Sequence, residues 1–453
     1  MVQTALSQQA STTSPRRIEK ILSFPGRLVR SLGPGLITGA ADDDPSGIAT
    51  YAQIGAQFGF TMLWTLVLSY PLMAAIQEAS AWIGRVSGVG LARNIRLHYP
   101  PWLSYTAVFV LLFANVINLA ADIAAMADAL RLLIGGSVLF YTVVFGGICV
   151  SGVVFVSYAR FAKILKYGTL VLLLYIATAF VVDAPVQKIF VHSLIPSIRL
   201  AGENTAALMA ILGTTISPYL FFWQASQEVE EQKSTPGQKP LKLAPHQATR
   251  QLKPMRADTY FGMAVSNIIA YFIMLDTGAL LHAHGITQIT TASQAAEALR
   301  PIGGDYAFVF FAVGIIGTGL LAVPVLAGSV GYALAEIANW PYGLAKKLAS
   351  ARAFYGSIAA VTLLGLLLNL SRISPIEALF WSAVINGVCA GPIMVLVMLM
   401  TTKNKITGGL IFPRPQFILG WISTGVMLTV AACMLTSFVL QYSKLDFIHL
   451  RGL

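Results

Sequence analysis

The chain has 453 residues, 56% of them hydrophobic and only 11% charged, with a formal net charge of +11. That composition is too apolar and too poor in charge for a soluble globular protein. Its long apolar runs exclude a transmembrane β-barrel, which shows short alternating segments, and leave an all-α polytopic membrane protein.

In chain order, residues 1–31 carry a Ser/Thr/Gln cluster and then PRRIEK, without the apolar core of a cleaved signal peptide. They read as a polar cytoplasmic tail. Windows of about 20 residues then predict eleven spans, at 32–57, 60–84, 103–134, 138–158, 163–183, 206–228, 257–282, 306–337, 353–371, 376–401 and 416–441. Lys and Arg divide sharply between the two sides. Of the 30, 23 lie in the N-terminal tail and in the loops after the second, fourth, sixth, eighth and tenth spans. By the positive-inside rule the N-terminus is cytoplasmic and the C-terminus outside. The basic surplus is therefore a topology signal for a chain embedded in a lipid bilayer. It predicts no nucleic-acid partner, and no obligate protein partner is evident. The inner loop 228–258, rich in Pro, Gln and Lys, reads as a mobile connector opened by a solvated charge run, QEVEE. Cys149, Cys389 and Cys433 fall in apolar segments and read as buried packing.

Two spans are interrupted. In the first, TGAADDDPSGIATY places three carboxylates, a proline and a glycine inside an apolar segment. Proline removes a backbone donor and clashes with the preceding turn. Carboxylates and open backbone at membrane depth persist only around a functional, protein-covered or wet site. In the sixth span Gly213-Thr214-Thr215 is followed by Ser217-Pro218-Tyr219. Interruptions at matching positions five spans apart point to a transporter built from inverted repeats with its site at the midplane. Asp44 at the first break is the leading cation ligand, and Asp42 and Asp43 are rotated about 200° and 100° away on a helix. Asp43 is retained as a contact to hydration water or to the inner vestibule. Asp122 in the third span is a candidate for cation or proton. Asp128 lies nearer its outer end, where it can attract cations. Asn386 in the tenth span is placed to bond a metal-bound water. Glu78, Asp276 and Glu336 sit near span ends and read as solvated at the interface. His282 and His284 in LHAHG are weak evidence for a metal. No Walker loop is present and no cofactor is implied, so an ATP-driven pump or an enzyme is not expected.

The stretch GPGLITGAADDDPSGIATYAQIGAQFG resembles the first broken helix of the NRAMP family of divalent metal transporters. That family has Asp-Pro-Gly-Asn there, where this chain has Asp44-Pro45-Ser46-Gly47, and Met-Pro-His in the sixth span, where this chain has Ser217-Pro218-Tyr219. The likeness runs through spans 1 to 10 and the basic loop TTKNKITGG. It implies a LeuT-like 5+5 inverted repeat with broken helices 1 and 6. The repeats would be 32–183 and 206–401, with 416–441 as an added eleventh span. It also implies Asp44 as the carboxylate ligand, with backbone carbonyls of Ala41 and Thr214 beside it. Gly47 stands where the family's asparagine ligand would be, and Ser217 where its methionine would be. A thioether favours transition metals, whereas oxygen donors suit hard cations. A roomier all-oxygen site fits Mg²⁺, which gives up its waters reluctantly. This pattern resembles the NRAMP-related magnesium transporters. Tyr219 replaces the family's histidine, and Asp122-Ile123-Ala124-Ala125 lacks the glutamate of its third span. The expectation is uncoupled uptake of partly hydrated Mg²⁺, and also Mn²⁺, across a bacterial inner membrane. A proton-coupled Mn²⁺/Fe²⁺ transporter is the alternative, and a carrier of an organic solute on the same fold is the second.

Overall fold

The computed structural model describes residues 33–155, 170–182, 184–197, 203–370 and 374–451; their regular structure is helical, with no strand among them. The expected tail at 1–31 and parts of the fourth and fifth spans lie outside the described residues. The first predicted span is two helices, α1 (Pro34–Asp42) and α2 (Pro45–Phe58), which a single 3-10 turn joins to α3 (Leu63–Ser87). Then come α4 (Leu91–His98), α5 (Pro101–Ile134), α6 (Val138–Phe155), α7 (Leu173–Val181) and α8 (Val186–Leu194). The sixth span is again two helices, α9 (Glu203–Thr215) and α10 (Pro218–Ser234). The longer helices that follow are α11 (Ala248–Leu280), α12 (Ala307–Ala338), α13 (Arg352–Leu368), α14 (Pro375–Met400) and α15 (Arg414–Arg451). Among the described residues eight helical stretches are long and apolar enough to cross a membrane, and two apolar helices are shorter. The charge-poor windows found the long helices but missed α4 and α8, which are short and mixed in polarity.

Helix ends follow local chemistry. Proline opens α2, α5, α10 and α14 at positions where a missing N–H costs nothing. Gly88, with φ of 73°, closes α3 in the left-handed conformation that glycine adopts without strain. The most apolar stretch of α9–α10 is 94% enclosed by protein, against 33% for α6 and 39% for α15. The second broken helix is thus at the centre and the other two face lipid.

Both half-helices that precede a break are held at backbone distance. A Cβ on Gly39 would stand 2.2 Å from the Gly262 carbonyl of α11, and one on Gly213 would stand 2.0 Å from the Ala383 carbonyl of α14. Without a hydrophobic force between helices in lipid, such small-residue crossings supply the close packing. They fix α1 against α11 and α9 against α14, and so set where the two breaks lie.

The side assigned to the cytoplasm is more ordered and more buried than the sequence suggested. Helix α10 runs on to Ser234, and α11 starts at Ala248, so the connector shrinks to 235–247. It is strapped down by Leu241 N to Arg85 O (3.1 Å), Lys242 N to Val86 O (3.0 Å) and Gln251 Nε2 to Lys239 O (3.1 Å). The acidic run is solvated only in part: Glu231 is exposed, but its neighbours are covered. Glu228 is buried against Arg85, which also reaches Glu231, and Glu230 accepts from the Tyr332 hydroxyl (2.6 Å). Glu78 and Glu336 are buried as well. Arg256 pairs with Glu78 at 2.6 Å, and Ser226 Oγ and the Arg93 amide donate to Glu336. Asp276 is also buried, with both oxygens unpartnered. Interfacial solvation is therefore wrong for all three, because neighbouring helices cover them. Cys149 is buried as expected, while Cys389 and Cys433 are half-buried.

Candidate cation site at the helix breaks

At the first break α1 stops at Asp42, Asp43 and Asp44 are unwound, and Pro45 starts α2. Asp44 caps α2, its Oδ1 accepting from Gly47 N at 2.7 Å, as short acidic side chains do at exposed helix N-termini. Its Oδ2 accepts from Asn118 Nδ2 of α5 at 2.9 Å. Asp122, one turn further along α5, accepts the next free amide, Ser46 N, at 3.2 Å. The ring closes through α14: Ser46 Oγ lies 3.0 Å from Ser382 Oγ, and Ser382 Oγ donates to Asn118 Oδ1 at 2.8 Å. Asp42 and Asp43 do turn away from Asp44. They face the hydroxyl of Ser266 on α11, at 2.7 and 3.0 Å. One hydroxyl proton cannot serve both carboxylates at once.

The second break is built differently. Ser217 precedes Pro218, yet its hydroxyl makes no N-terminal cap and turns back to the carbonyls of Gly213 (2.8 Å) and Thr214 (3.1 Å). Tyr219 then spans the gap between the breaks, its hydroxyl donating to Ala41 O at 2.9 Å. The Ala41 and Thr214 carbonyls thus each hold one hydroxyl and keep a second lone pair. Gly47 faces the same space: a Cβ there would lie 3.0 Å from Thr214 Oγ1 and 3.5 Å from Asp44 Oδ1. The room expected beside Gly47 is therefore narrowed by Thr214.

Asp44, Asp122 and Ser217 are at most 3% exposed, so the site is closed to both sides in this structure. Asn386 lies one turn beyond Ser382 on α14, buried, with Oδ1 unpartnered. Asp42 Oδ1 and Asp122 Oδ2 are also buried without a partner. None of the ion pairs among the described residues involves Asp42, Asp43, Asp44 or Asp122. Nor do three His, Cys, Asp or Glu side chains among the described residues converge as they would around a resident metal. The arrangement is a carboxylate-lined pocket with dispersed oxygen donors and no cationic partner among the described residues, suited to a cation that passes through. His282 and His284 point their Nδ1 atoms to the backbone carbonyls of Ala56 and Leu280, away from the breaks.

Sequence reasoning missed Asn118, Ser266 and Ser382. Asn115, Asn118 and Asp122 recur at helical spacing on one face of α5, and that polar stripe was the available signal. Ser266 had none, since only the α1–α11 crossing brings it to Asp42.

Two broken helices that meet at a closed, acidic site between packed spans define a membrane transporter of the LeuT-like class. A family profile described as natural resistance-associated macrophage protein-like, Nramp, matches residues 35–437, and the chain belongs to that family. The divalent metal cation transporter MntH of Klebsiella pneumoniae (strain 342) is 26% identical over 444 residues, covering 94% of this chain and 98% of the relative. MntH of Deinococcus radiodurans is 27% identical, covering 94% and 92%. The Eremococcus coleocola manganese transporter, solved with an aromatic bis-isothiourea substituted compound, superposes with a TM-score of 0.71 at 14% identity, over 93% of this chain and 92% of that one. Mhp1, a nucleobase-cation-symport-1 transporter, shares the fold more distantly, with a TM-score of 0.51 at 15% identity over 90% and 93%. Nramp proteins are transporters, so the chain is not an enzyme.

Proposed function

We propose that this protein carries divalent metal cations across a bacterial inner membrane by alternating access, with Mg²⁺ as its main substrate and Mn²⁺ also accepted. The observation that carries the reading is the cluster of four buried carboxylates with no cationic partner among the described residues. Buried charge is costly unless paired, and a divalent ion arriving between Asp44 and the opposite break supplies the missing charge. Asp44 is the direct ligand. Ser217, the free lone pairs of the Ala41 and Thr214 carbonyls, and backbone near Gly47 offer further oxygens. Asp122, Asp43 and Asn386 hold the ion's waters. The relatives' names, divalent metal cation transporter, support the substrate class.

Every donor named is oxygen, which favours a hard ion that keeps part of its hydration. The Tyr219 hydroxyl donates to Ala41 O, and a tyrosine is no proton carrier near neutral pH. We therefore read transport as uncoupled and driven by the membrane potential, worth about 4.6 kcal/mol per 100 mV for a divalent ion. The repeats are read as 32–183 and 206–401. The second reading, proton-coupled Mn²⁺ transport, is supported by the manganese transporter that shares this fold. A carrier of organic solutes fits less well, because a carboxylate-bearing solute would be repelled by Asp42, Asp43 and Asp44. Purified protein in liposomes with a lumenal pH dye separates the readings. Mg²⁺ influx without acidification is expected; Mn²⁺ influx with acidification and no Mg²⁺ flux would reverse the order.

A further inference from the structure

A cavity opens on the side that the charge bias assigns to the exterior. It measures about 580 Å³, and its wall includes Gln53 and Gln57 of α2, Gln288, Thr290, and Glu377 of α14. Ile289 and Ile376 line its wall and also the wall of a second, much smaller space of about 10 Å³ beneath it. Ala49, Ala125 and Leu379 border that lower space too, and so does one charged group, the carboxylate of Asp128. These neighbours lead directly to the cation site. Ala49 is three residues from Ser46, Ala125 is three residues from Asp122, and the Leu379 carbonyl accepts the Ser46 hydroxyl at 3.0 Å. Asp128 thus stands between the vestibule and the buried carboxylates, behind an apolar constriction of Ile289 and Ile376. Its side chain is 14% exposed and is held at 2.7 Å by Arg131, itself 53% exposed.

We propose that Asp128 is a transit site for the hydrated divalent cation, occupied on the way from the vestibule to Asp122 and Asp44, and that Arg131 is its counter-ion while the constriction is closed. When Ile289 and Ile376 part, the incoming cation replaces the guanidinium at the carboxylate, and the exposed Arg131 swings to solvent. The vestibule wall presents amides, hydroxyls and one carboxylate, which bind an ion through its waters and do not strip them. Arg131 also sets a threshold: it competes with weakly attracted monovalent ions and yields to a divalent one. The inference rests on the divalent-cation reading but not on the choice of Mg²⁺ over Mn²⁺.

Hexaamminecobalt(III) is the probe, because it has the size and charge character of a hydrated metal ion and cannot shed its ligands. Its binding to the purified full-length protein is measured by calorimetry, beside the flux of Mg²⁺ and Mn²⁺ into liposomes, for wild type, Asp128→Asn and Arg131→Gln. The wild type is expected to bind the complex and to be inhibited by it from the outer side. Asp128→Asn should weaken that binding at least about fivefold and raise KM for the transported ion with kcat within about twofold. Arg131→Gln should move both the other way, which a misfolded or merely destabilised variant would not do. The proposal is overturned if the wild type does not bind the complex, if Asp128→Asn binds it unchanged, or if both variants shift KM in one direction. Binding that depends on Asp128 in a protein with no divalent flux would keep the site and overturn the transport reading.

Discussion

At the first break, α5, α11 and α14 all send polar side chains to the unwound residues: Asn118 and Asp122, Ser266, and Ser382. At the second, the freed carbonyls of Gly213 and Thr214 are met from within the same segment by Ser217. Both breaks contain a proline and both stand against a glycine crossing, yet only the first concentrates charge. On the proposed reading the first break holds the ion's charge and ties it to the surrounding helices. On the same reading the second supplies neutral oxygens and selectivity, and Tyr219, bonded to Ala41, links the two halves of the site.

That division of labour is broken most directly at Asp44. Asp44→Ala removes the proposed ligand, the cap of α2 and the acceptor for Asn118 together. Metal flux in liposomes is expected to fall by at least about 100-fold, equivalent to about 2.7 kcal/mol. Asp44→Asn keeps the cap and should fold as wild type while still failing to transport; full flux in either variant would remove the site from the first break. Selectivity is sharpened at the second break. Ser217→Met introduces a soft donor and is expected to raise the Mn²⁺ to Mg²⁺ flux ratio about tenfold, or about 1.4 kcal/mol of discrimination. An unchanged ratio would mean that selectivity is set elsewhere. Tyr219→Phe deletes the hydrogen bond from the second break to Ala41, worth about 1 kcal/mol net. The maximal rate should drop about fivefold, and thermal stability should change little. The smallest effect is expected at Ser266, whose loss leaves Asp42 and Asp43 facing each other without a shared donor. Ser266→Ala should slow flux about threefold, with partial recovery at higher metal concentration, because the ion itself neutralises the pair.

The comparison with sequence is uneven in the same way. The first break was legible because three carboxylates beside a proline violate the chemistry of a membrane span. The second was legible only by its proline and its position five spans later. Asp122 was found, but its partner Asn118 was not, although both lie on one face of α5. The acidic run after the sixth span was misread at Glu228, though Glu231 is exposed as expected. Composition marks such a run as solvated, and nothing local shows that Arg85 on α3 will bury Glu228. Glu78, Asp276 and Glu336 failed for the same reason: closeness to a span end gives depth in the membrane but not the helix that covers it.

By itself the sequence determined the membrane class, the long spans, the charge bias between the two sides, and the two interruptions. Each of these is set by patterns along one segment: apolar length, Lys and Arg in loops, proline and carboxylate where neither is tolerated without cause. Only the tertiary structure decided which side chains meet at the breaks, that Ser266 is shared by two carboxylates, that Thr214 narrows the space beside Gly47, and that Asp128 lies beneath the vestibule. Those outcomes depend on helix crossings hundreds of residues apart in sequence, fixed by glycine contacts such as Gly39 on Gly262 and Gly213 on Ala383. A crossing rotates a whole face toward its neighbour, and no local pattern encodes that rotation.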